Sequence, residues 1–93
     1  MIRRLVLDIM KPHEPPMHDV AVKVADTDGV SGVNAKLIET DSKVQNIKMT
    51  VEGEDIDYDA VKDRIEHLGG SVHSVDEVAC GETIVEESIT PQD

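Results

Sequence analysis

Residues Ile2–Asp19 read IRRLVLDIMKPHEPPMHD, and this stretch decides the fold. From Ile2 to Met10 the residues alternate: Leu5, Leu7 and Ile9 fall on one side, and Arg4, Val6, Asp8 and Met10 on the other. A period of two over that length predicts a strand with one buried face. Pro12, Pro15 and Pro16 then exclude regular structure until Pro16, a residue suited to a first helical turn because it needs no N–H partner there. Met17, Val20, Ala21 and Val24 follow at helical spacing, and Asp26-Thr27-Asp28-Gly29 stops that helix, with Gly29 as the expected cap.

Outward from this segment the pattern repeats. Val33, Ala35 and Leu37 alternate with Asn34, Lys36 and Ile38, and Thr40-Asp41-Ser42-Lys43 makes a turn. Ile47, Met49 and Val51 mark a third strand. Tyr58, Val61, Ile65 and Leu68 form the stripe of a second helix, with Asp55 or Asp57 as its N-terminal cap and Gly69-Gly70 as its end. Ser71 to Ala79 alternates imperfectly through Val72, Val75 and Val78, which points to a bulge or an edge position. Strand, helix, strand, strand, helix, strand is the α+β, ferredoxin-like βαββαβ order. Right-handed crossovers place the first and third strands at the centre of a four-stranded antiparallel sheet, with both helices on one face. Val6, Met10, Ile38 and Val75 are then expected on the open face.

The domain is expected to end near Gly81, leaving residues 82–93 as a tail whose Ile84, Val85 and Ile89 the core does not need. Such a tail either adds as a strand to a neighbouring subunit, or folds on its own subunit or is disordered. A chain of 93 residues with no Phe, no Trp and a single Tyr must build its core from aliphatic side chains. It forgoes the ~150–250 Å² that each aromatic would bury, and self-association is one remedy. The formal charge of −11, from 20 acids against nine Lys and Arg, opposes nucleic acid and anionic membranes as partners. One cysteine, Cys80, cannot make an intrachain disulfide, and no apolar run approaches a bilayer span; a cytoplasmic protein is expected.

IRRLVLDIMKPHEP, GVSGVN and VEGEDIDYDAVKDRIEHLGGSVHSVDEV together resemble an archaeal family known as domain of unknown function 211, DUF211, over nearly the whole chain to about Val85. The matching positions include Arg3, Arg4, Asp8, Lys11, Pro12, His13, Glu14 and Pro15, then His73, Asp76 and Glu77. The resemblance implies a ferredoxin-like fold and a ring-like homo-oligomer with divalent cations. It implies no activity and no catalytic residues.

The expected topology sorts polar residues to two poles. His13, His18, His67 and His73, all four histidines, fall in the upper half with Asp8, Glu14 and Asp19. Imidazole with carboxylate suits Zn, Ni, Co or Mn. Surface histidines around a proline-braced loop, with His67 at a helix C-terminus, explain the same residues without a metal. A narrower expectation pairs Asp8 with His73 across neighbouring strands. The lower pole gathers Asp26, Asp28, Glu52, Glu54, Asp55, Asp57 and Asp59, hard oxygen donors that suit Ca²⁺ or Mg²⁺. Asp26-Thr27-Asp28-Gly29 is not an EF-hand, and Asp55 and Asp57 are also simply favourable at a helix N-terminus. Arg3 and Arg4, at that same pole, are candidates for salt bridges between subunits or for solvated charge.

Catalytic patterns are weak. Cys80 has no base beside it, Ser71, His73 and Ser74 form no triad, and Gly29-Val30-Ser31-Gly32 lacks the lysine of a phosphate loop. RNA binding on this fold would need aromatics on the central strands. The sequence therefore supports a non-enzymatic homo-oligomeric domain binding divalent cations or a small ligand at subunit boundaries. The alternative is a metal-dependent enzyme at the histidine end, with Glu14 or Asp19 as general base.

Overall fold

The computed structural model describes residues 1–87 and contains, in order, β1 (Ile2–Pro12), α1 (Met17–Ala25), β2 (Val30–Thr40), β3 (Val44–Gly53), α2 (Tyr58–His67) and β4 (Ser71–Cys80). The sheet order is β2-β3-β1-β4, every neighbour antiparallel. This is the ferredoxin-like α+β arrangement, with β1 and β3 in the interior as the alternation of both strands requires. Leu5, Leu7 and Ile9 stand level with Val51, Met49 and Ile47. All six are buried, in one cluster with Val20 and Val24 of α1 and Val61 and Ile65 of α2. Both helices therefore cover one face, and a slab of 40 × 35 × 17 Å results. Among the described residues no helix is long and apolar enough to cross a membrane.

Two helix ends differ in kind. Asp57 accepts the Ala60 N–H at 3.2 Å and caps α2, whose other end closes through Gly69 at φ +89°. Gly69 N–H and Gly70 N–H return to the carbonyls of Glu66 and Ile65. α1 has no side-chain N-cap, since Pro16 occupies that position in an extended conformation rather than the first turn itself. Its C-cap is Asp26, not Gly29; Gly29, at φ +87°, lies three residues further on and turns the chain into β2.

The ladders explain the irregular strand. β1 and β3 pair without a shift over nine residues. Between β1 and β4 the register slips, so that His73 and Asp76 become extra residues on β4 and Arg3 on β1. Leu5, Leu7 and Ile9 consequently face Val78, Val75 and Val72. Val75 thus belongs to the helix-side rows rather than the open face; two bulges convert a spacing of three into one-sided alternation. Ile38 is likewise an extra residue, on β2. The open face carries rows such as Lys36–Lys48–Asp8–Ser74 and Asn34–Thr50–Val6–Glu77, and is mainly polar.

The described part of the tail folds back on its own chain. Gly81 N–H donates to the Met1 carbonyl at 2.9 Å, Arg3 donates to the Glu82 carbonyl at 2.6 Å, and Arg4 reaches Glu86. Ile89 and the rest of the tail lie outside the described residues, and with them the question of strand addition.

Candidate functional site: the two poles of the sheet

β1 carries a cation at each end, and the two are satisfied in opposite ways. Continuing the Leu5-Leu7-Ile9 alternation puts Lys11 inward, 2 % exposed. Its ammonium donates to the Pro12 carbonyl at 2.6 Å, to Gln45 Oε1 at 3.0 Å and, longest, to the His13 carbonyl at 3.5 Å. No carboxylate completes an ion pair with it among the described residues. Burial therefore lowers its proton affinity from the ordinary lysine value, against a weaker opposing pull from Glu14. Lys11 binds the start of the proline loop to β3. The sequence signal for it, alternation running one step past Met10, is masked by Pro12 directly after it.

Around Lys11 the upper pole is built of local contacts. His13 Nε2 lies 2.6 Å from the Asp41 carbonyl in the β2–β3 turn. The Asp41 carboxylate accepts the N–H groups of Lys43 and Val44, both at 2.8 Å, and those two bonds, with His13 nearby, hold its carboxyl below the usual aspartate range. The Glu14–Pro15 peptide is cis, and Glu14 is exposed. His18 is exposed with Asp19 at 3.4 Å. The expected Asp8–His73 pair does not form: Ser74 stands opposite Asp8, His73 is a bulge residue, and Asp8 accepts from Asn46 Nδ2. Ser74 itself donates to Asp76 at 2.8 Å.

At the lower pole Arg4 gathers three carboxylates. Its Nε meets Glu52 at 2.7 Å, while Glu86 accepts from both Nη atoms at 2.9 and 3.1 Å and Glu77 lies at 3.3 Å. Glu86, then Glu52 and Glu77, raise the Arg4 proton affinity further, and Arg4 in turn holds the Glu86 carboxyl below its ordinary range. Arg3 donates to the carbonyls of Gly53, Gly81 and Glu82. Both arginines, candidates for bridges to another subunit or for solvated charge, are engaged within this chain.

The acidic loops meet through backbone. A Cβ on Gly29 would overlap the Asp55 carbonyl, and one on Gly53 would overlap the Gly29 carbonyl. This contact brings the Asp26–Gly29 turn against the Glu54–Asp55 loop, which is braced by Ile56 N–H donating to the Ile2 carbonyl at 2.9 Å. Asp26, Asp28 and Asp55 are exposed. Between the first two, Thr27 is 5 % exposed, and its hydroxyl has no partner among the described residues. Nowhere among those residues do three His, Cys, Asp or Glu side chains stand close enough to enclose a metal ion. The structure thus brings the acidic loops together at one pole without closing a ligand set among the described residues, and His13 and His18 make separate contacts while His73 is a bulge residue.

Uncharacterized protein MJ0319 of Methanocaldococcus jannaschii is 49 % identical over 92 residues, covering 99 % of this chain and 95 % of that protein. The sequence model of DUF211, described as an uncharacterized ArCR family, matches residues 3–93. With that match spanning the β1 cations, both acidic loops and the histidine pole, the chain belongs to the DUF211 family.

Proposed function

We propose that this protein is a non-enzymatic, cytoplasmic domain that assembles with copies of itself into a closed, ring-like oligomer and takes up divalent cations where subunits meet. The observation that carries this reading is the pair of open sheet edges. β2 and β4 are 11 and 10 residues long, and each has one side unpaired among the described residues. Leu37 and Ile38 on one edge and Val75 and Val78 on the other are between 42 % and 51 % exposed. Long edges with apolar side chains are templates for pairing with another chain. Against that pull stands a charge of −11 per subunit, which opposes close approach of like copies.

Divalent cations reconcile the two. The Gly29–Asp55 backbone contact sets the turn that carries Asp26 and Asp28 against the loop that carries Asp55, yet no oxygen cage closes among the described residues of one chain. Ca²⁺ takes 6–8 oxygen ligands, so carboxylates from a second subunit would both finish the site and lose their repulsion. The test is light scattering with and without EDTA. The reading expects a molar mass several times 10.2 kDa that falls when cations are removed. A 10.2 kDa species in calcium-containing buffer would refute it. Metal analysis of Asp26→Asn and His13→Ala variants assigns any bound metal to the acidic or the histidine pole. Loss in His13→Ala alone would favour the metal-dependent enzyme, with Asp8, Glu14, His18 and His73 as the other upper-pole candidates.

A further inference from the structure

The outer side of the helix layer holds a feature that neither pole accounts for. Ala60, Asp63, Arg64 and His67, at helical spacing on one face of α2, line an open groove of about 580 Å³ together with Leu68, which follows the helix, and Lys23 of α1. A volume between ~300 and 1,000 Å³ is the range of small-molecule sites. Its lining is mainly apolar, and Ala60 and Leu68 are its apolar side chains. Two permanent cations, Lys23 and Arg64, and the imidazole of His67 face a single carboxylate, Asp63. In a chain with 20 acids against nine Lys and Arg, this local excess of positive charge runs against the overall balance. Neither Lys23 nor Arg64 forms an ion pair among the described residues; the one bond recorded for Arg64 is a long one, 3.4 Å, to the Lys23 carbonyl. Cations near helix C-termini are favourable in themselves, which explains their sign but not the apolar lining beside them.

We infer that the α1–α2 groove binds a small organic anion, with an apolar body resting on Ala60 and Leu68 and a carboxylate or phosphate headgroup between Lys23 and Arg64. Arg64 offers a planar donor fork to two anionic oxygens, and Lys23 a point charge. The inference does not depend on self-assembly, since every residue it uses lies on one chain.

The test is an amide-resolved NMR titration of the full chain with octanoate, with inorganic phosphate (charge without body) and octylamine (body with the wrong charge) as comparisons. Octanoate should give saturable shifts at Lys23, Ala60, Arg64 and His67 with a Kd on the order of 1 mM, as an open groove gives a ligand of that size. Phosphate should bind more weakly and octylamine not at all. Arg64→Gln and Lys23→Gln, each checked for an intact amide spectrum, should weaken octanoate about tenfold, the scale of one charged hydrogen bond. Lys48→Gln, on the opposite face of the sheet, should leave binding unchanged. Absence of saturation, equal binding of octylamine, or an equal loss in Lys48→Gln would overturn the inference. So would an Arg64→Gln variant that binds octanoate normally while its oligomer dissociates, which would make the groove a contact between copies.

Discussion

Lys11 and Arg4 sit seven residues apart on one strand and show two ways of keeping a cation. Arg4 lies on the open face among Glu52, Glu77 and Glu86, where water and salt remain in reach. Lys11 lies inside, facing oxygens of Pro12, Gln45 and His13 and, among the described residues, no carboxylate. An exposed network of this kind gains little, because each partner was already well solvated. A buried ammonium is different: its bonds offset a desolvation cost, and removing it strands the acceptors. The upper pole is therefore the rigid one in energetic terms, and the lower pole is the one whose charge responds to the medium.

The sharpest break of this contrast is Lys11→Ala. It leaves a cavity and orphaned carbonyls at once, and should cost about 3–4 kcal/mol in denaturant unfolding. Little change would mean that Lys11 is not the anchor of the proline loop. Gly53→Ala comes next. Its methyl group would meet the Gly29 carbonyl, and a backbone clash of this sort should cost about 2–3 kcal/mol, whereas Gly32→Ala, with open space around it, should be nearly neutral. Equal effects at the two glycines would refute the close loop contact at the acidic pole. Arg4→Met should lower the melting temperature less than either, and the difference from wild type should vanish in 1 M NaCl; a salt-independent loss would place Arg4 with Lys11 instead.

Acid titration separates the poles more finely. The carboxyls of Asp41 and Glu86 are both held below their ordinary values in the folded chain. The unfolded chain thus binds protons first as pH falls. The stability each carboxyl contributes is complete above its unfolded value, near 4, and is lost as pH drops through the lower folded value. For Asp41 the cause is two backbone N–H donors; for Glu86 it is Arg4. Asp41→Asn should therefore flatten the acid limb of a stability–pH curve at any salt, and Glu86→Gln only at low salt. The same salt sensitivity in both variants would contradict the assignment.

How much of this was readable beforehand follows from the ladders. β1 and β3 pair without a slip, so their alternation survives into the burial of Leu5, Leu7, Ile9, Ile47, Met49 and Val51, and the sheet order follows. β4 slips twice, and the Val72, Val75, Val78 spacing looks imperfect until His73 and Asp76 are recognised as extra residues. Val75 was accordingly expected on the wrong face, and the expected Asp8–His73 pair turned on the same slip. Lys11 was hidden by its chemistry, since a lysine before a proline reads as the end of a strand rather than as one of its buried positions. The α1–α2 groove joins residues about 40 positions apart and had no signature in the chain. The approach of the two acidic loops at the lower pole was legible because the topology brings the α1–β2 turn and the β3–α2 loop to the same end of the sheet.

The claim that the open edges pair with other copies is tested most directly by amide hydrogen exchange of β2 across a concentration series. If β2 joins a neighbouring subunit, its amides that do not donate to β3 become protected as protein concentration rises in the presence of Ca²⁺, and lose that protection in EDTA. Rapid exchange of those amides at every concentration, with or without the cation, would contradict the account.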